Sequence, residues 1–423
     1  MAENTRSLSH PLLLLLILIA HFAMLLLVFL SFGIQFEALK LAFFVLGADF
    51  IGSIVLQIVH REACTVDSVL LLVIGMSTIY QSCFGGLEFA SRHYIFAIGA
   101  FLMCQFSYLL VRNPYRAERL KPLWYLLFFA LVAAIFFLTG SRGIWIDLGF
   151  ITLQPSEFVK PVFVLICASS IRTQLHKASV LGLHFVPDNL MLLFCTAVIA
   201  GLQWWCRDLG SLPTFVAVAG CGLLLRFRYL REKMSVRLII FLGVCACVLV
   251  VAAWKLAPAY VQERLHTDIW ADMSGNGYQQ VKALTAIAEG GWFGKGAGNG
   301  SLIHVAASRT DIVFSTICEE WGLFTGLMTV ILVLFLPASI LTVPPRSYYH
   351  SGLALGVAAV FMVQMTLNIF GSCNLIPFTG VTIPFISQGG SSMLSCGILA
   401  GFLKAAQAPV LSQKKATTKS VSS

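Results

Sequence analysis

The chain has 423 residues, is 58% hydrophobic and 11% charged, and carries a formal net charge of +9 with mean hydropathy +0.87. That composition excludes a soluble globular protein. Apolar runs of about 20 residues recur along the chain and identify an all-α integral membrane protein.

The expected spans, about twelve, are residues 11–34, 39–59, 67–86, 92–111, 122–139, 156–171, 189–205, 209–226, 237–256, 312–337, 351–371 and 389–407. The first run is too long for the core of a signal peptide, and no small-residue cleavage pattern follows it. Placing both termini in the cytoplasm puts 18 of the 28 Lys and Arg on the inner side, as the bias of inner loops toward basic residues requires. The positive balance is therefore a topology signal, and no nucleic-acid partner is expected. Residues 1–62 read as an N-terminal extension with two helices, 63–408 as a polytopic membrane domain, and 409–423 as a disordered basic cytoplasmic tail suited to an anionic inner leaflet. Asp49, a lone acid in the second span, reads as an inter-helix hydrogen bond or a partner contact. The 12 cysteines fall mostly inside spans without a C-x-x-C pair, which implies neither a disulfide framework nor a zinc site.

Polar detail gathers in four loops on the outer side. The first, Gly140 to Pro161 (GSRGIWIDLGFITLQPSEFVKP), carries Arg142, Trp145, Gln154, Ser156, Glu157 and Lys160. Ser156 suits a helix cap, and Glu157 the positive end of that helix. Lys160 lies one turn on. The two charges read either as an internal ion pair or as groups lining a site, since ionisable side chains entering a span are costly. The second, Cys206 to Ser211 (CRDLGS), places Asp208 as a cap for the next helix or at the mouth of the same cavity.

The third loop, about 257–311, is the long one, and long loops between spans are uncommon without a function. It holds Asp272 among Ser274, Gly275, Asn276 and Gly277, then Lys282, Lys295, the run GKGAGNG, His304, Arg309 and Asp311. The glycine run resembles a phosphate cradle but not a nucleotide P-loop, because the preceding strand and the Gly-Lys-Ser/Thr ending are missing. Asp311 reads as a helix cap or a site group, and Glu319 and Glu320 as a buried pair fixing helix packing or as part of the site. The fourth, Asn374 to Ser392 (NLIPFTGVTIPFISQGGSS), breaks helix with two prolines and a glycine pair. Gly389, Gly390, Ser391 and Ser392 then open the last helix, whose free N–H groups suit an anion.

These four motifs, in this order, resemble the SEDS family (FtsW, RodA and SpoVE). The resemblance covers about residues 67–407. It departs from the family strings at Ile144, Arg207, Met273 and Gln388, and the family core has ten spans, so the first two helices here are additional. The resemblance implies a peptidoglycan glycosyltransferase of cell division or cell shape. Such an enzyme polymerises lipid II at the outer face of the cytoplasmic membrane, partnered by a class B penicillin-binding protein. It also implies that Asp272, at the start of D-M-S-G-N-G-Y-Q, is catalytic. Arg142, Lys160, Lys282 and Lys295 are then candidates to meet the pyrophosphate, with a divalent cation such as Mg or Mn as a candidate cofactor. The competing class is a lipid II flippase. It would need polar groups along its whole path, whereas the inner half of most spans reads apolar.

Overall fold

Hydrocarbon offers no partner to a backbone N–H or C=O, so a chain this apolar must satisfy them within helices. The computed structural model describes residues 9–59, 65–138, 144–147, 152–172, 178–180, 183–185, 187–206, 208, 210–229, 269–271, 273, 275, 277–341, 344–345 and 347–407. The helices are α1 (Ser9–Phe32), α2 (Phe36–Val59), α3 (Thr65–Val111), α4 (Pro114–Arg119), α5 (Lys121–Leu138), α6 (Pro155–Arg172), α7 (Pro187–Trp205), α8 (Leu212–Tyr229), α9 (Tyr278–Gly290), α10 (Val313–Ala338), α11 (Tyr348–Ser372) and α12 (Gly390–Gln407). Two small antiparallel hairpins join them: β1 (Ile146–Asp147) with β2 (Thr152–Leu153), and β3 (Ala178–Val180) with β4 (Leu183–Phe185). Every expected span except 237–256 falls on a helix, and 237–256 lies outside the described residues. Among the described residues, five helices are long and apolar enough to cross a membrane: α1, α3, α5, α10 and α11. The molecule is a helical membrane protein.

The 47 residues of α3 are two antiparallel halves. Gly86, at φ 75°, ψ 178°, reverses the chain between the spans expected at 67–86 and 92–111. Few residues but glycine adopt that conformation. Across the turn Ser77 Oγ meets His93 Nε2 at 2.6 Å, and at the far end Gln105 donates to Asp67 at 2.8 Å. Lys404 of α12 closes that end with a buried ion pair to Asp67 at 2.6 Å. α12 lies directly on α3, because Gly397 and Gly401 leave no side chain between the backbones. A Cβ at either would stand 2.3 Å from the carbonyl of Ala100 or Cys104. This is the small-residue packing by which helices associate in lipid.

The two N-terminal helices are joined to each other and to α3 through one buried side chain, and Tyr94 of α3 adds a bond to the Phe44 carbonyl of α2 at 3.0 Å. His21 of α1 bonds Asp49 of α2 through Nδ1 at 2.6 Å and the Leu72 carbonyl of α3 through Nε2 at 3.0 Å. Its ring fills the space left by Gly75. Asp49 is thus an inter-helix hydrogen-bonding group, buried with His21.

α10 is broken at Gly322 (φ 86°, ψ 160°), and the loop after α9 docks into the break. Leu323 N donates to Gly291 O at 2.9 Å and Phe324 N to Trp292 O at 3.3 Å. In return Lys295 N donates to Glu319 O and Gly296 N to Glu320 O. The backbone groups freed by the kink are thereby paired. The end of α1 joins this region, with Phe32 packed against Gly298.

Candidate functional site

Four separate stretches of sequence meet at one end of the bundle. The first is fixed by β1–β2 and the start of α6. Pro161 lacks an N–H, so the carbonyl of Glu157, four residues back, loses its helical partner. Ser395 of α12 supplies one, donating to Glu157 O at 2.7 Å. Beside it, Gln154 N donates to Ser391 Oγ at 3.0 Å. The first motif is thus tied by one bond to the fourth and by another to the helix that follows it.

Between them sits a buried ion pair, Lys160 Nζ to Glu157 Oε1 at 2.6 Å. Among the described residues Glu157 Oε2 has no hydrogen-bond partner, nor has the Ser156 hydroxyl. Ser156 therefore does not cap α6, contrary to the sequence expectation. It lines a recess instead.

Asp208 joins from the second motif. Its Oδ2 accepts from Ser211 Oγ at 3.0 Å and lies 3.5 Å from Gln154 Nε2. Burial raises the Asp208 carboxyl above the usual carboxylate range. The Ser211 bond and the attraction of Lys160 oppose that rise, and the repulsion of Glu157 adds to it. Asp208 is thus both the tether of the turn before α8 and a neighbour of the Glu157–Lys160 pair. Gly210 brings the turn against Thr379 of the fourth motif, where a Cβ would stand 2.7 Å from the Thr379 carbonyl.

The third motif reaches the fourth through its backbone. Asn368 of α11 donates to both Asp311 O and Val381 O, at 2.7 and 2.6 Å. Gln388 N donates to Arg309 O at 2.9 Å, and Ser387 Oγ to Thr310 O at 2.6 Å. The Asp311 carboxylate faces Gly380, 3.2 Å from where a Cβ would lie. It does not cap α10, whose N-cap is Ile312 without a side-chain bond. Burial raises its pKa to about 6, against a bond from Thr310.

The remaining expected residues fall elsewhere or are engaged. Trp145 is half exposed beside β1. Lys282 is exposed on α9, 5.9 Å from the Tyr278 ring. Lys295 is paired with Glu289 and with Glu319, the latter at 2.8 Å, and these bonds raise its ammonium above its usual range. Glu319 also accepts from Ser301 N, Ser301 Oγ and Leu302 N, while Glu320 accepts from Gly298 N at 2.7 Å. The glycine-rich loop is therefore filled by the protein's own carboxylates, which corrects its reading as a phosphate cradle. Gly389 and Gly390 open α12, and a Cβ at Gly390 would stand 2.6 Å from the Phe96 ring. Ser392 bonds Thr382 at 2.7 Å. Asp272 and Arg142 lie outside the described residues.

Sequence reasoning missed Gln203, Ser211, Ser395 and the placement of Arg309. The Arg309 guanidinium lies 4.2 Å from the Phe89 ring centroid, in space that Gly85 leaves open. Ordinary polar residues inside apolar helices give no motif; only the proline at 161 hinted at Ser395. The described cysteines, Cys206 and Cys373 included, are free thiols. Among the described residues no three His, Cys, Asp or Glu side chains come together as metal ligands, so the candidate divalent ion finds no built site among them.

Known proteins resemble the chain in sequence and in fold. The chain is 30% identical over 272 residues to the probable peptidoglycan glycosyltransferase FtsW of Pseudomonas fluorescens, covering 61% of this chain and 63% of that protein. It is 28% identical to the stage V sporulation protein E of Bacillus subtilis, covering 77% and 91%. Among solved structures it is similar to a chain from a peptidoglycan synthase complex described as coordinating polymerization and crosslinking, with TM-score 0.60 at 20% identity, covering 80% of this chain and 96% of that one. Rod shape determining protein RodA of Thermus thermophilus aligns with TM-score 0.54 at 19% identity, covering 81% and 95%. Both show the fold. The family profile FtsW/RodA/SpoVE, described as "Cell cycle protein", matches residues 56–410, and the chain belongs to that family.

Proposed function

We propose that the chain is a peptidoglycan glycosyltransferase that polymerises lipid II into glycan strands at the outer face of the cytoplasmic membrane, with both termini cytoplasmic. The observation that carries this reading is the meeting of all four polar motifs at one end of an apolar bundle, in a family whose similar members are named as that enzyme.

Lipid II carries its sugar on an α-linked pyrophosphate, and the strand is β-linked, so one inversion suffices. Asp272 takes the proton from the acceptor 4-hydroxyl as that oxygen bonds the donor anomeric carbon. The bond from that carbon to the pyrophosphate oxygen breaks, and the pyrophosphate leaves with its electron pair. A well-placed base contributes roughly 10²–10⁴-fold. Pyrophosphate is a good leaving group, so a second catalytic carboxylate is not required. Lys160, Lys282, Lys295 and Arg142 remain the proposed cations for the departing charge. Of these, Lys160 stands among the converged motifs and Lys295 is already committed to carboxylates. A class B penicillin-binding protein is the proposed partner, and its transpeptidase would cross-link the strands.

The test is strand synthesis from lipid II by the purified protein with a cognate class B penicillin-binding protein, comparing wild type with Asp272→Ala. Polymer from wild type and none from the folded variant supports the enzyme and its base. Polymer from both moves the base elsewhere. No polymer, with lipid II translocation across vesicles instead, favours the flippase.

A further inference from the structure

Arg309 carries a charge that the fold holds in place and leaves unpaired. Its carbonyl is pinned twice: Gln388 N donates to it at 2.9 Å, and Gln81 Nε2 reaches the same oxygen at 3.4 Å. Its side chain lies on the turn of α3. Cζ stands 4.2 Å from the Phe89 ring centroid, and a Cβ at Gly85 would stand 2.7, 2.8 and 3.0 Å from Cζ, Nη1 and Nη2. Three distances so similar mean that the guanidinium turns its flat face to the glycine. Its N–H groups lie in its plane, so the contacts that seat it use none of its five donors.

Among the described residues no acceptor takes those donors up. The acids nearest in sequence are turned elsewhere: Glu88 meets Arg92 Nη2 at 3.5 Å, and the Asp311 carboxylate faces Gly380. Arg309 is only half-buried, so its charge can be reached from outside.

Depth decides what it meets. The first half of α3, residues 65–85, rises about 30 Å as helix, the thickness of the hydrocarbon layer. The turn under Arg309 therefore stands at the border of the oil, where lipid-borne phosphates lie. A planar fork with unspent donors matches two oxygens of a phosphate, which a single ammonium does not.

Resting on the function proposed above, we propose that Arg309 binds the pyrophosphate of the lipid-linked substrate, with Phe89 and Gly85 holding the guanidinium in place to grip the phosphate oxygens at the membrane border. It is a binding residue beside the cations already named, and Asp272 keeps the role of base. A phospholipid phosphodiester offers the same oxygens, and the test separates the two sources.

The experiment measures binding rather than turnover, on the full chain in detergent by native mass spectrometry. The probes are a polyprenyl pyrophosphate, the polyprenol of the same length without phosphate, and phosphatidylglycerol. Arg309→Gln should weaken pyrophosphate binding about tenfold or more, as the loss of charge-assisted hydrogen bonds requires, and leave the polyprenol unchanged. Arg309→Lys keeps the charge without the fork and should fall between. Gly85→Ala displaces the guanidinium without removing it and should also weaken the pyrophosphate, by a smaller factor. The polyprenol measured on the same preparation cancels any loss of folded protein. Pyrophosphate binding unchanged in Arg309→Gln overturns the assignment. Equal loss of polyprenol and pyrophosphate overturns it too, because the variant has then damaged the fold or the place of the lipid tail. Wild-type binding in Gly85→Ala overturns the seat on the α3 turn. Loss confined to phosphatidylglycerol gives the residue to bulk lipid and overturns the substrate as its ligand. Because nothing turns over in this assay, a chain that shows the Arg309-dependent loss yet makes no strand from lipid II fails the proposed function and not this assignment.

Discussion

Lys160 Nζ stands 2.6 Å from Glu157 Oε1, one turn apart on α6 and both buried, while the second oxygen of Glu157 is buried with no partner among the described residues. Removing one member of such a pair strands the other charge and costs about 3–5 kcal/mol, whereas removing both with apolar or neutral groups costs much less. Lys160→Met should therefore melt well below wild type in detergent, and the double variant Glu157→Gln/Lys160→Met should recover most of the loss. A double variant that is stable yet makes no glycan strand would separate the pair's chemistry from its packing.

Asp311 gives a pH signature. Its carboxyl holds a proton up to about pH 6 in the fold against 3.8 as the unperturbed value, because burial disfavours its charge. The folded form thus binds the proton more tightly than the unfolded one. Its contribution to stability is full below the unfolded value and falls as pH rises through about 6, by up to about 3 kcal/mol. Asp311→Asn stays neutral throughout. The gap in melting temperature between variant and wild type should be small near pH 4 and open in favour of the variant near pH 8. A gap independent of pH would contradict the burial of the charge.

Glu319 collects the donors of the glycine-rich loop: Ser301 N, Ser301 Oγ, Leu302 N and Lys295 Nζ. Glu319→Ala strips all four at once and should cost at least about 3 kcal/mol. The local readout is protease cleavage within 290–304, which should accelerate in the variant before the helices are attacked. Cleavage at the wild-type rate would show that the loop is held by something else.

Gly322→Ala tests the break in α10. The residue combines a left-handed φ with a neighbour 2.3 Å from where a Cβ would lie, the carbonyl of Trp292. Strain alone is worth about 1–3 kcal/mol, before the clash. The protein should melt much lower or fail to accumulate. Gly220→Ala on α8, with nothing within 4 Å, is the control and should change little.

The helices were legible because lipid imposes a simple rule, and a run such as Leu12 to Leu30 satisfies it without reference to any partner. The converged site was legible only as four motifs: nothing in the residues alone says that Gln154 meets Ser391 or that Asn368 clamps Asp311. Lys295 shows why. Its partner Glu319 lies 24 residues on, in another helix, so the lysine read as a free cation for a substrate. Ser156 fails in a different way. Its position before a helix turn is that of a cap, yet its hydroxyl turns into a recess formed by α5 and α7. Capping is a local rule, and tertiary packing overrode it.

The kink at Gly322 also serves as a depth gauge. From Gly322 to Leu341 the chain has 20 residues, which as helix rise about 30 Å, the thickness of the hydrocarbon layer. The nine residues before it, Val313 to Trp321, are all buried in protein, with Ser315, Thr316, Glu319 and Glu320 among them. α10 therefore crosses the oil with its second part and carries its first part above it, wrapped by the glycine-rich loop rather than by lipid. Trp292, 63% exposed, marks that height, where amphipathic rings are favoured, with Phe293 beside it 89% exposed. Asp311, whose carbonyl Asn368 clamps, stands at the start of that first part. For the proposed activity, a sugar carried on a lipid would meet this part of the protein without first shedding its water into the hydrocarbon.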